Sequence, residues 1–165
     1  MENDLKNPAR STQTRFSFGA TSAIITNLGI ITGLDTLAHP KLSIIGALLV
    51  IALADNLSDT FGIHIYQESE HLSKKEVWLS TLTNFFARLF VSLTFIALII
   101  LLPIKLAAVC SVVWGLLILT VMSYTIARQR KMSPYSAILA HTTVAVLVVA
   151  ASHFIGAFLV ARFQG

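Results

Sequence analysis

The sequence predicts an all-α, polytopic membrane protein of five transmembrane helices, with the N-terminus in the cytoplasm and the C-terminus outside. Three observations carry that prediction. Hydrophobic residues make up 55 % of the 165 and charged residues only 12 %, about half the charged share of a soluble domain. Such a chain has too little polar surface to cover itself in water. The apolar residues gather into five runs, each long enough for a bilayer, which takes about 20 residues at a rise of about 1.5 Å each. No alternation of apolar and polar residues runs through them, which excludes the strands of a membrane barrel.

Residues 1–15 are polar and are read as a cytoplasmic tail, and residues 16–162 as one transmembrane domain. Arg15 directly precedes the first apolar run, which leaves no room for the pattern of a cleaved signal peptide. The first helix is expected at about 16–34 and carries no charge. The second, at about 42–67, is interrupted by Asp55, Asp59 and His64. The third, at about 79–102, is interrupted by Arg88. The fourth (106–127) and fifth (134–161) carry no acid, lysine or arginine, and Pro134 marks the start of the fifth. The connections are short, and the polar stretch Glu68 to Glu76 is the most hydrophilic of them. The single cysteine, Cys110, lies inside an apolar run, so no intrachain disulfide is possible.

Orientation follows from the lysines and arginines. With the N-terminus inside, Lys6, Arg10, Arg15, Lys74, Lys75, Arg128, Arg130 and Lys131 lie on the cytoplasmic side, against Lys41, Lys105 and Arg162 outside. The formal charge of +4 is spread between apolar runs rather than gathered on a patch, so nucleic acid is not an expected partner. Lipid is.

The second helix carries the strongest functional signal. Asp55 falls near mid-membrane, and Asp59 follows at i+4 on the same face. A charge at the bilayer centre costs roughly 2.5–3.5 kcal/mol even on the lenient insertion scale. Two acids one turn apart therefore need a cation, protons, or a base from another helix. Arg88, placed about one turn into the third helix, is such a base for Asp59, and the pair is either structural or part of a proton relay that includes His141. Asp55 has no evident cationic partner in the sequence and is the foremost candidate for binding a metal or a proton. Asn27 and Ser58 are candidate neutral oxygen ligands beside the two acids. His64, Glu68 and His71 fall at i, i+4 and i+7; with Glu70 they form a candidate cytoplasmic mouth for a divalent cation, or a solvated helix end facing Lys74 and Lys75. Small residues at Gly29 and Gly33, and at Ala54, Ser58 and Gly62, offer faces for close helix packing in a homodimer. No zinc-protease, nucleophile-elbow, dinucleotide or phosphate-loop motif occurs, so no catalytic residues are expected.

The segments FGATSAIITNLGIITGL (18–34) and ALADNLSDTFGIHIYQESE (52–70) resemble the first two helices of the vacuolar iron transporter family. Asp55, Ser58, Gly62, Ser69 and Glu70 match positions of that family's second-helix pattern. Ser22 stands at the family's first-helix acid, Asp59 at its methionine, and the acid-rich insertion after the second helix is missing. The resemblance implies a homodimer that moves ferrous iron or manganese out of the cytosol in exchange for protons. No tightly bound cofactor is expected, and the expected location is the cytoplasmic (inner) membrane of a prokaryote. The alternative expectation is a membrane protein that keeps the fold without transport and acts in assembly.

Overall fold

The computed structural model describes residues 8–70 and 72–163, and among these every regular element is a helix. Helix α1 spans Pro8–Leu34. A continuous rod follows, made of α2 (Pro40–Val50), a π-helical turn (Ile51–Asp55) and α3 (Asn56–Ser69). Then come α4 (Lys74–Leu101), α5 (Ile104–Gln129) and α6 (Pro134–Phe163). Four rods, Pro40–Ser69, α4, α5 and α6, are long and apolar enough to cross a membrane, and α1 contributes the shorter apolar stretch Gly19–Leu34. Large apolar side chains lie open on the outside, among them Leu53, Phe61, Phe90, Leu147, Phe154 and Ile155. An exterior of this kind fits a lipid solvent and no aqueous one, so the chain is a helical membrane protein.

Sequence sets the helix ends. Proline stands at the first position of α1, α2 and α6, where its missing N–H costs nothing. Ser73 caps α4: its Oγ accepts from the Glu76 N–H, and the Glu76 carboxylate accepts from the Ser73 N–H at 3.2 Å. That box starts α4 at Lys74, five residues before the expected 79. The expected polar tail is likewise shortened, because α1 is already helical from Pro8. Just past Arg130, the C-cap of α5, Lys131 has φ of 54°, and the N–H of Met132 reaches back to Ala127 O at 2.9 Å. This is a Schellman closure with lysine where glycine is usual.

Helix α1 sits at the centre and packs on α4, α6, α5 and α2. At the end of the bundle near residues 35–39 the core is apolar: Leu28, Ile31, Ile44, Leu48, Phe95 and Ile99 are fully buried. Toward the 70–73 end it changes character, and the polar Asn56, Thr60, Ser80, Thr81, Asn84 and Arg88 are buried there alongside Val77 and Ala87. Helices α1 and α6 cross where Gly33 meets Gly156, and a Cβ on Gly156 would collide with the Gly33 carbonyl. Gly29 and Gly33, expected at a dimer face, are thereby spent inside the chain, against Val148 and Ser152 of α6. A small-residue ridge announces close approach; here the approaching helix is α6.

Candidate functional site

Arg88 is the centre of the site. It projects from the middle of α4, fourteen residues past Lys74, or about 21 Å along the axis. The expectation that it lies about one turn from the helix end is corrected: Arg88 stands nearly four turns into α4. Its side chain is only 3 % exposed. Nη2 donates to Asp55 Oδ2 at 2.5 Å, and Nη1 donates to Asp59 Oδ2 at 2.6 Å and to Ser22 Oγ at 2.8 Å. One guanidinium therefore serves both acids and ties α1, the second rod and α4 together. Its planar fork suits this task, since a lysine ammonium has no comparable geometry.

Asp55 was expected to lack a cationic partner. The structure corrects that: it shares Arg88 with Asp59. Two carboxyl groups share one guanidinium, so acids outnumber bases by one at the site. The carboxylates are not sealed. The Asp55 and Asp59 side chains are 42 % and 44 % exposed. Asp59 also lines an open groove of about 280 Å³ with Ser58, Gly62, Ile63 and Tyr66. A Cβ on Gly62 would meet nothing within 4 Å. Ser58 stands beside Asp59 in the lining of this groove.

The remaining expected residues divide. Asn27 lies in the α1–α4 interface, where its Nδ2 donates to Ser92 Oγ at 3.0 Å; it does not bond either carboxylate. His141 is on the other side of the bundle. Ser123 donates to Leu119 O at 2.6 Å, so its oxygen accepts from His141 Nδ1 at 2.8 Å, which ties α6 to α5 and places His141 outside the acid cluster. His64 binds Thr81 Oγ1 through Nδ1 at 2.8 Å, and its Nε2 lies 3.5 Å from Glu68 Oε1. Glu70 is the exposed C-cap of α3, and His71 lies outside the described residues. Among the described residues no group of three His, Cys, Asp or Glu side chains stands ready to hold a metal.

Sequence reasoning missed the polar lining between α3 and α4. Asn56 Nδ2 donates to Phe85 O at 3.0 Å, Asn84 Nδ2 to Thr60 Oγ1 at 3.2 Å, and Gln67 Nε2 to Ser80 Oγ at 2.7 Å. The signal was present: Ser80, Asn84, Arg88 and Ser92 follow one another in steps of four along α4, and Asn56 and Thr60 do so along α3. Such spacing puts each set on one helix face. Compared with protein-family models and with curated proteins, the chain matches none.

Proposed function

We propose that the protein is a homodimeric membrane transporter that moves a divalent metal ion, ferrous iron or manganese, from the cytosol in exchange for protons. The observation that carries this reading is the half-exposed acid pair with its single buried arginine. With both acids ionised, each protomer presents one net negative charge beside the open groove. Two protomers meeting across that groove would bring two, which balances one divalent ion where solvent cannot. When the ion leaves, like charges crowded in a low dielectric disfavour full ionisation, and proton uptake follows. The donors available are carboxylate and hydroxyl oxygens, which suit manganese or ferrous iron better than copper. The likeness of residues 18–34 and 52–70 to the vacuolar iron transporters supports the same reading. The activity is binding and release, with no bond made or broken, so it has no catalytic residues.

In this reading α1 is the fifth span, since it packs against every other rod and must share their depth. The N-terminus is cytoplasmic, and the membrane is the inner membrane of a prokaryote. The lysine and arginine bias supports that orientation. Labelling from outside intact cells tests it: with Cys110 removed, a cysteine replacing Ala38 should react and one replacing Arg130 should not.

One observation favours a second reading. Arg88 engages both acids, and an arginine so placed can serve assembly alone. Proteoliposomes holding a pH dye separate the two. Manganese added to vesicles of the transporter should enter with proton movement, and Asp55→Asn should abolish both. Uptake no faster than in empty vesicles would leave the assembly reading.

A further inference from the structure

Six buried side-chain polar atoms among the described residues have no hydrogen-bond partner. Four of them, Gln67 Oε1, Asn84 Oδ1, Arg88 Nε and Asn27 Oδ1, belong to the seam where α3 and α1 pack on α4. The pattern repeats. Each of the three amides donates its NH2 to a hydroxyl, Gln67 to Ser80, Asn84 to Thr60 and Asn27 to Ser92, and leaves its oxygen without a hydrogen-bond partner, that of Asn84 packed against Gly19 of α1. Asn27, Asn84, Thr60, Ser80, Ser92 and Arg88 are all more than nine-tenths buried. Buried polar groups in proteins are nearly always paired, and where the chain supplies no partner an internal water does. The bare atoms here are three acceptors and one donor, and water pairs with both kinds.

The seam has a direction. It begins at the 70–73 end, where His64 holds Thr81 and faces the exposed Glu68. It passes Thr60 and Asn84, reaches Arg88 with its two acids, and stops one turn further at Ser92 and Asn27. Beyond lie Leu28, Phe95 and Ile99, fully buried and apolar. The polar lining covers one half of the seam's length, and the buried residues beyond it are apolar.

We propose that the seam between α1, α3 and α4 holds internal water and gives protons a path from the 70–73 end of the bundle to the Asp55–Arg88–Asp59 cluster. The cluster's open groove is lined by Ser58, Asp59, Gly62, Ile63 and Tyr66, a different set of α3 residues from the Asn56, Thr60, His64 and Gln67 of the seam. A second copy or lipid covering that groove would leave the seam as the aqueous route to the acids. The inference rests on burial and hydrogen bonding within one chain. It does not depend on metal being the cargo.

Thiol chemistry tests it, because only the thiolate reacts with a methanethiosulfonate and a thiol in a dry apolar site does not ionise. Cys110 is first replaced by alanine. Small-for-small changes keep the fold: Ser80→Cys and Ser92→Cys in the seam, Ala107→Cys and Ala145→Cys in the apolar core, where both alanines are fully buried. Purified protein in detergent exposes both ends of the bundle to the cationic reagent, so the outcome is independent of orientation. Thermal unfolding and gel filtration confirm that each variant folds. The seam thiols should react roughly 100-fold faster than the core thiols. Adding Asn84→Leu should slow the thiol at position 92 and leave the one at position 80 unchanged. Seam thiols as slow as the core thiols would overturn the proposal and make the seam a dry, directly paired interface. A position-92 rate indifferent to Asn84→Leu would also overturn it, since the path would then not run past Asn84. Neither result bears on metal uptake, which the vesicle assay judges separately.

Discussion

Arg88 and Asp55 face each other at 2.5 Å in the middle of the bundle, with Asp59 on the same guanidinium. This sharing changes what each substitution should do. Removing either acid alone leaves Arg88 with the other, so Asp55→Asn and Asp59→Asn should each shift stability by about 1 kcal/mol or less, the range of a partly exposed pair. Removing both strands a buried cation, and Asp55→Asn with Asp59→Asn together should cost about 3–5 kcal/mol. The double variant should therefore be far worse than the sum of the singles. Unfolding midpoints of the three proteins in one detergent decide it; additive losses would mean that Arg88 does not bridge the acids.

Gly62 separates the surface reading from the internal one. Among the described residues a Cβ there would meet nothing within 4 Å, so Gly62→Leu should leave the folded monomer intact. In the dimer proposed above it faces the second copy, and a bulky side chain there should push the association equilibrium toward monomer. Sedimentation or single-molecule photobleaching measures this. A Gly62→Leu protein that dimerises like the parent would move the interface to another face.

The crossing of α1 and α6 gives a contrast between two glycines. Gly156→Ala would drive a methyl into the Gly33 carbonyl and bring it close to Thr36 Oγ1. Overpacking of this kind costs about 1–3 kcal/mol, at the higher end when backbone must move. Gly46, inside α2, has open space around it, and Gly46→Ala should gain up to about 1 kcal/mol from helix propensity. Opposite shifts in thermal midpoint are the expected outcome.

Lys131 holds a left-handed conformation that glycine adopts without steric cost. Lys131→Gly should stabilise the α5–α6 turn by about 1 kcal/mol, and Lys131→Val should destabilise it by at least as much. Lys131→Ala controls for the lost charge. Thermal unfolding of the three variants checks the order: glycine above alanine above valine.

Much of the fold was legible because lipid imposes a simple rule: about twenty apolar residues in a row. The Asp59–Arg88 contact was legible too, since two lone charges in such runs need each other. Asp55 was assigned differently because its partner depends on how far Arg88 stands along α4. The Ser73–Glu76 cap that starts α4 at Lys74 places Arg88 deeper still, and the spacing of that cap is present in the sequence. The packing partner of Gly29 and Gly33 was not legible at all. A glycine says that something comes close, and only the assembled bundle says what.

The π-helical turn at Ile51–Asp55 explains a regularity along the second rod. Its buried residues are Ile44, Leu48, Ala52, Asn56 and Thr60, one every four. In an unbroken α-helix each step of four advances about 40° around the axis, and four steps would carry the buried stripe nearly to the far side. The wider turn absorbs part of that drift, keeping Thr60 toward α4 and both acids within reach of Arg88. The arrangement is therefore sensitive to counting rather than to chemistry. An apolar exchange at Ile51 or Leu53 should be tolerated. Deleting one residue from this stretch would rotate everything after it by about a quarter turn, swinging Asp59 away from Arg88 while leaving composition, charge and hydropathy almost unchanged.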